Sequence, residues 1–183
     1  MSTAELHLAV LAVGPRHGYE VKKEQDAWFP ETRHVAYGQV YATLGRLVRD
    51  GFAEVVETRR EGGPERTVYA VTEAGRDRLR RWLAEPAPPA GAGGEEVVRK
   101  VVVALRVVAE SDGVAAALEV VVRQRTSYLR RMRSLHDASG DEVAARLARR
   151  HAVLHLDADL RWLDEVVDVL GRESARPTGG QGR

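Results

Sequence analysis

A run of proline, glycine and alanine near the middle of the chain limits the folds that this sequence can form. Residues 86–94 read Pro-Ala-Pro-Pro-Ala-Gly-Ala-Gly-Gly, and neither a helix nor a strand propagates through such a segment. With 183 residues in total, each side of the run is long enough to bury a small core. We therefore expect one domain over 1–85, a linker over 86–94 and a second domain over 95–171. The tail, 172–183, has hardly any apolar residue and is expected to be disordered.

The first half changes its hydrophobic period once. Apolar residues at helical spacing predict three helices, over 3–13, 18–27 and 38–49, and Ser2 with Glu5 forms a capping-box pattern before the first. Valine, threonine and aromatic residues then favour strands over 52–60 and 66–71, which flank a turn that contains glycine and proline. Thr72 is expected to cap a fourth helix. The predicted order is three helices, a hairpin and a helix.

Every strong signal after the linker is helical. Apolar residues at helical spacing predict three helices, over 97–108, 114–135 and 143–170. The valine-rich first segment would also suit a strand, but its length and its spacing of four favour a helix. The predicted fold class is mainly α with a small β-hairpin.

Composition excludes several classes of protein. The chain lacks cysteine, which excludes disulfides and thiolate metal sites and fits the reducing cytoplasm. No apolar run approaches the length of a membrane span and no targeting segment is apparent, so we expect a cytoplasmic protein without membrane contact. The net charge is only +1, so binding to a nucleic acid would depend on local clusters of basic residues.

The predicted third helix divides into an apolar stripe and a polar face. Val40, Leu44 and Leu47 form the stripe, which would hold the helix to its domain. The polar face carries Gln39, Thr43 and Arg46, and we expect these side chains to contact bases, because glutamine suits adenine and arginine suits guanine. Phosphate contacts are expected from the arginines at the end of this helix and in the hairpin, namely Arg49, Arg59, Arg60 and Arg66. The alternative is a small stable domain with a solvated polar face.

Short motifs in the first half resemble those of the PadR family of transcriptional regulators. They are Gly14-Pro-Arg-His-Gly-Tyr-Glu20, Tyr37-Gly-Gln-Val-Tyr-Ala-Thr-Leu-Gly-Arg-Leu47, Asp50-Gly-Phe52, Gly62-Gly-Pro-Glu-Arg-Thr-Val-Tyr69 and Thr72-Glu-Ala-Gly75. The resemblance covers almost all of residues 4–85. The second half resembles the longer helical extension of one PadR branch, less specifically.

The resemblance implies a winged helix-turn-helix repressor that dimerises through a C-terminal three-helix domain and binds an inverted repeat in duplex DNA. It places Tyr41 in the recognition-helix motif, as a contact to the DNA backbone or to a neighbouring helix. Some family members release DNA when they bind small aromatic or drug-like molecules. Two positions depart from the pattern: Ala36 stands where a serine often caps the helix, and Gly45 costs about 1 kcal/mol relative to alanine in a helix interior.

Apolar residues on the last predicted helix suggest a self-association surface. Residues 143–170 carry more apolar surface than an isolated helix should expose to water, and with helix 95–109 they are expected to pack against a second copy. The residues are Leu147, His151, Leu154, Trp162, Leu163, Val166, Val167 and Leu170. A homodimer would also extend the DNA site that a single module reads.

Other candidate sites have weaker support. His151, His155 and Asp159 recur every four residues, a spacing that suits a shared metal and also any solvated helix, and we favour the solvated helix. Trp82 and Trp162 are candidates to stack on an aromatic effector, although packing is the more general role of tryptophan. No pattern of catalytic residues is recognisable, so we expect no enzyme and no cofactor. The alternative function is a winged-helix module that binds protein and not DNA.

Overall fold

The computed structural model describes residues 3–30, 35–59, 66–88, 94–137 and 142–175, and the chain divides into two compact units, Met1–Leu83 and Ala84–Arg183. The first unit contains α1 (Thr3–Val13), β1 (Arg16–His17), α2 (Gly18–Trp28), α3 (Tyr37–Arg49), β2 (Ala53–Arg59), β3 (Arg66–Val71) and α4 (Glu73–Ala84). The second contains α5 (Gly94–Val103), a π-helical segment (Ala104–Val108), α6 (Ala109–Ser111), α7 (Val114–Asp137) and α8 (Val143–Ser174). The predicted fold class, mainly helical with a small β element, is confirmed.

The sheet has one strand more than the predicted hairpin. Its order is β1-β3-β2, with antiparallel pairing on both sides of β3. Arg16 pairs with Tyr69, and the two residues of β1 thereby join the start of α2 to the hairpin. The register of β2 shifts between Val55 and Glu57, so the strand carries an irregularity of the β-bulge type there.

Helix α1 is the centre of the first core and is buried nearly all round. The sequence pattern suggested one apolar stripe through Leu6, Val10 and Val13, but every residue from 6 to 11 is buried and Val13 is 43% exposed. The reason is that α2, α3 and the sheet all pack on α1. The rest of this core comes from Val21, Val40, Leu44, Leu47, Ala53 and Val71.

The start of α4 is closed by a side-chain cap, as predicted. The Thr72 hydroxyl accepts a hydrogen bond from the Gly75 N–H at 3.1 Å and donates one to the Gly51 carbonyl at 2.7 Å. A Cβ at Gly75 would lie 2.1 Å from the Phe52 carbonyl oxygen, so this close approach requires glycine. Ser2 of the predicted capping box lies outside the described residues, and Glu5 instead accepts a hydrogen bond from Arg78 of α4 at 2.6 Å.

The predicted linker begins inside the core of the second unit. Ala87 is 1% exposed, and its N–H donates to the Gln124 side-chain oxygen at 2.6 Å. The Lys100 ammonium donates to the Glu85 carbonyl at 2.5 Å, and the Tyr128 hydroxyl donates to the Pro88 carbonyl at 3.3 Å. We call residues 85–88 with these partners the 85–88 anchor. Composition suggested a free linker because proline has no backbone N–H and interrupts helices and strands. The backbone carbonyls of such a segment can still accept hydrogen bonds from side chains, as they do here.

The second core lies mainly between α7 and α8. Val121, Tyr128, Leu156 and Leu163 are at most 1% exposed and pack together with Val97 and Val101 of α5. Helix α8 continues to Ser174, so the first three residues of the predicted disordered tail are helical. None of the helices in the described parts of the chain is both long and apolar enough to cross a membrane.

Candidate nucleic-acid interface

Helix α3 has one buried face and one exposed face. Val40, Leu44 and Leu47 are at most 2% exposed and belong to the first core, as predicted. Gln39, Tyr41 and Arg46 lie on the exposed side. The helix is therefore held from behind while a row of polar and aromatic side chains faces outward.

Thr43 was predicted to lie on this exposed face, and that prediction is wrong. Its side chain is buried at 4% exposure, because position 43 follows Val40 by three residues and lies on the same side of the helix. The hydroxyl donates to the Gln39 carbonyl at 2.8 Å and accepts from the Arg46 guanidinium at 3.2 Å. Thr43 thus positions Arg46 and has no surface of its own to offer a base.

The end of α3 presents a further cation. Arg49 has a 70% exposed side chain, and its Nε donates to the Asp50 carboxylate at 3.1 Å. In the hairpin, Arg59 and Arg66 form the backbone pair nearest the tip. The side chains of these two arginines, and Arg60 as a whole, lie outside the described residues.

Three exposed tyrosines at the starts of α2 and α3 form a surface that the sequence prediction did not assign as a unit. The rings of Tyr19 and Tyr37 stack at 5.8 Å with an interplanar angle of 7°. Tyr41, 46% exposed, lies over Gly18, where a Cβ would come within 2.4 Å of the ring. We call Tyr19, Tyr37 and Tyr41 the tyrosine cluster. An aromatic residue in the first turn of each helix, outside the apolar stripe, is the signal that could have indicated it.

A lysine supports the tyrosine cluster from α2. The Lys22 ammonium lies 5.0 Å from the centroid of the Tyr37 ring, within the range of a cation–π contact. Lys22 also forms an ion pair with Asp26, and the hydrogen bond to this carboxylate raises the pKa of Lys22. The lysine therefore carries its positive charge at neutral pH, and this charge is paired with the Asp26 carboxylate beside the tyrosine cluster.

The hairpin is attached to α2 next to this surface. The His17 ring nitrogen Nδ1 lies 3.3 Å from the Thr67 carbonyl of β3, and the His17 N–H donates to the Glu20 carboxylate at 2.8 Å. His17 thus links the first turn of α2 to the wing. The exposed face of α3, the tyrosine cluster and the base of the hairpin belong to the same compact unit.

Only some of the residues predicted to form the self-association surface are exposed in the structure. Leu163 and Leu170 are buried in the core of their own unit, and Trp162, Val166 and Val167 pack against that core. Leu147 and Leu154 remain exposed at 63% and 51%. The sequence alone cannot distinguish a helix face that meets α7 from one that meets a partner.

The two tryptophans predicted to bind an effector lie in different units. Trp82, in α4 of the first unit, and Trp162, in α8 of the second, are both half-buried. Trp162 packs against the core between α7 and α8. An effector site at either residue stays a prediction.

Comparison with known proteins agrees with this arrangement. Residues 7–81 match the model of the "Transcriptional regulator PadR-like family". The chain is similar to a probable transcriptional regulator of Mycobacterium tuberculosis, with 27% identity over 168 residues that cover 84% of this chain and 89% of that protein.

Two solved structures of Bacillus subtilis PadR are also similar to this chain. The complex with operator DNA is 17% identical, covers 93% of this chain and 99% of its own, and gives a TM-score of 0.46. The complex with p-coumaric acid is 17% identical, covers 91% and 99% of the two chains, and gives a TM-score of 0.37. The matched segment 7–81 contains α2, α3 and both strands of the hairpin, and in this segment the chain is similar to the PadR-like family of transcriptional regulators, the family whose motifs it resembles.

Proposed function

We propose that this protein is a cytoplasmic repressor that binds an inverted repeat in duplex DNA as a homodimer and places α3 in the major groove. One observation carries the proposal: Gln39 and Arg46 are exposed on a helix whose opposite face is buried in the core. A helix held in this way can enter the major groove without losing its packing.

Base contacts in this proposal come from Gln39 and Arg46. Arginine recognises guanine through two hydrogen bonds, and the Thr43 hydroxyl restricts the guanidinium of Arg46 before DNA arrives. Gly38, Ala42 and Gly45 are exposed on the same helix and are all small. Their size lets the backbone of α3 approach the base edges closely.

Phosphate contacts come from cations and hydroxyls around α3. Arg49 lies at the end of the helix, Arg59 and Arg66 are paired residues of β2 and β3, and Arg60 follows Arg59 in the sequence. The tyrosine cluster adds exposed phenolic hydroxyls, and tyrosine is a common donor to phosphate oxygens. These contacts set the position of the protein on DNA and carry little base preference.

The second unit supplies the proposed partner contact, and each unit holds one candidate residue for an effector. A single module reads few base pairs, so a second copy joined through α8 would extend the site to a palindrome. The exposed residues Val143, Leu147 and Leu154 on α8 suit such a contact. By family resemblance we expect a small aromatic effector, for which Trp82 and Trp162 are the candidate stacking partners.

The first test is footprinting of the purified protein on the DNA upstream of its own gene, followed by Arg46→Ala. We expect Arg46→Ala to lose about 1–3 kcal/mol of binding free energy and to relax base preference at one position of each half-site. Arg81→Ala, on the exposed side of α4, removes the same charge away from α3 and serves as the matched control. An unchanged footprint for Arg46→Ala would remove this residue from the interface.

The salt dependence of binding distinguishes this proposal from the alternative, a winged-helix module that binds protein. Several arginine–phosphate contacts release counterions, so the affinity for DNA should fall steeply and linearly on a logarithmic scale between 50 and 200 mM salt, by roughly 10³-fold or more. A shallow salt dependence, with no footprint on any tested upstream DNA, would favour the protein-binding module.

A further inference from the structure

Two histidines on the exposed side of α8 converge on one point. The Nε2 atoms of His151 and His155 lie 2.9 Å apart, and the ring centroids are 4.2 Å apart with an interplanar angle of 50°. The spacing of four residues places the two side chains one above the other on the helix. Neither ring belongs to the core of the second unit, and both are exposed.

The separation of the two nitrogens is that of two ligands on one metal ion. With metal–nitrogen bonds of about 2.0–2.1 Å, donors 2.9 Å apart enclose an angle of about 90° at the ion. Because both side chains are exposed, a few tenths of an ångström of movement would open this angle toward the tetrahedral value. Without an ion, the same approach needs one ring to donate its Nε2 proton to the other.

The surroundings supply a compensating charge. Asp159 lies one turn beyond His155; burial raises the pKa of Asp159, and the smaller electrostatic effect of His155 favours its ionised form. Its buried oxygen Oδ2 has no hydrogen-bond partner among the described residues. A carboxylate close to a metal-bound imidazole commonly stabilises the charge of the complex.

We propose that His151 and His155 form a bidentate binding site for a divalent transition-metal ion that prefers imidazole nitrogen, of the zinc, nickel and copper class. Within the described residues no third histidine, aspartate or glutamate completes a group of three ligands, so this chain supplies two ligands to the ion. Such a chelate joins two successive turns of α8. Ions that prefer oxygen ligands, such as Mg²⁺, do not fit it.

The test is a titration of the untagged full-length protein with ZnCl₂, followed by calorimetry and by thermal unfolding. We expect one ion per chain, a rise in the melting temperature that EDTA reverses, and tighter binding when CuCl₂ replaces ZnCl₂. MgCl₂ at the same concentration should have no effect. His151→Asn and His155→Asn should each weaken zinc affinity at least about tenfold.

His136→Asn is the matched control, because His136 is an exposed histidine on α7 without a second histidine one turn away. Circular dichroism of the variants checks that each remains folded, which is expected because both replaced side chains are exposed. Equal losses for His136→Asn and His151→Asn would identify adventitious binding only and overturn the proposal. Unchanged zinc affinity in the double variant His151→Asn/His155→Asn would overturn it as well.

Discussion

A buried histidine lies in the core of the first unit. His7 is fully buried between α1 and α2, and its Nδ1 lies 2.6 Å from the Thr3 carbonyl oxygen and 3.0 Å from the Gln25 amide nitrogen. Its Nε2 has no hydrogen-bond partner among the described residues. Burial lowers the pKa of His7 against a smaller opposing effect of the hydrogen bond to the Thr3 carbonyl, and the positive charge of Arg46, the smallest of the three effects, lowers it as well. The imidazole is therefore neutral in the folded unit at neutral pH.

We predict that the first unit loses stability as the pH falls below about 6.5. His7 has an ordinary pKa near 6.5 in the unfolded chain and a lower pKa in the folded chain. Below pH 6.5 the unfolded chain therefore binds a proton more readily than the folded chain does, so acid favours unfolding. His7→Leu should remove this part of the pH dependence. Native-state hydrogen exchange of α1 and α2 at pH 7.5 and 5.5, corrected for the intrinsic exchange rate, measures the difference. An identical pH dependence in wild type and His7→Leu would contradict the assignment, and His136→Asn serves as the control.

At the scale of the element, α3 combines a well-buried apolar face with a glycine that lowers the stability of the helix. Gly45 lies in the interior of the helix on its exposed side, and a Cβ at this position would meet no atom within 4 Å. Glycine there costs helix stability and gains no internal packing in return. In the proposed complex, DNA lies against this exposed side of α3.

Gly45→Ala should therefore separate stability from binding. We expect the free energy of unfolding of the first unit to rise by about 1 kcal/mol, because alanine restricts the unfolded chain and favours the helix. Affinity for the operator should fall, because the methyl group projects into the space between α3 and the bases. Thermal unfolding and a DNA-binding titration measure the two effects.

Gly171→Ala provides the matched control for this pair of measurements. Gly171 is also helical with open space around the Cβ position, but it lies in α8 of the second unit. It should stabilise the protein without any change in DNA affinity. Full operator affinity in Gly45→Ala would show that the exposed face of α3 does not approach DNA at this point.

The elements were predictable where local chemistry determines their ends. The bounds of α1 agree with the predicted 3–13, because Gly14-Pro15 stops the helix, and the Thr72 cap marks the beginning of α4. Strand β1 was missed, since two residues show no periodicity and become a strand only by pairing with β3. Thr43 was misplaced because its residue type suggested a polar face while its position lies with the apolar stripe.

At the scale of the whole molecule, the exposed stripe on α8 is the main unsatisfied apolar surface of the described second unit. Val143, Leu147 and Leu154 are each more than half exposed, at 57%, 63% and 51%. They recur at helical spacing on one side of α8, with His151 between them. A second copy of the chain is the partner that the proposed symmetric DNA site requires.

We predict that Leu147→Glu/Leu154→Glu converts a dimer into a monomer. Two carboxylates in a closely packed apolar contact would have to be desolvated, which disfavours association. Light scattering at micromolar concentration measures the mass, and footprinting should show weaker protection. Val13→Glu, at an exposed apolar position of α1, is the control. Zinc binding should persist in the monomer, because both ligands belong to one chain. A wild-type protein that is monomeric at this concentration would contradict the proposed dimer.

The 85–88 anchor determines where this protein can be divided. The prolines invite a cut after Pro88, but a fragment that ends there would carry away the Ala87 methyl and three backbone groups that satisfy Gln124, Lys100 and Tyr128. The remaining helical half would then expose the apolar surface that Ala87 covers. The buried side chains of Lys100 and Gln124 would lose their backbone partners and would have to bind water. If the chain is divided between Leu83 and Ala84 instead, each half keeps all the residues that fill its own core.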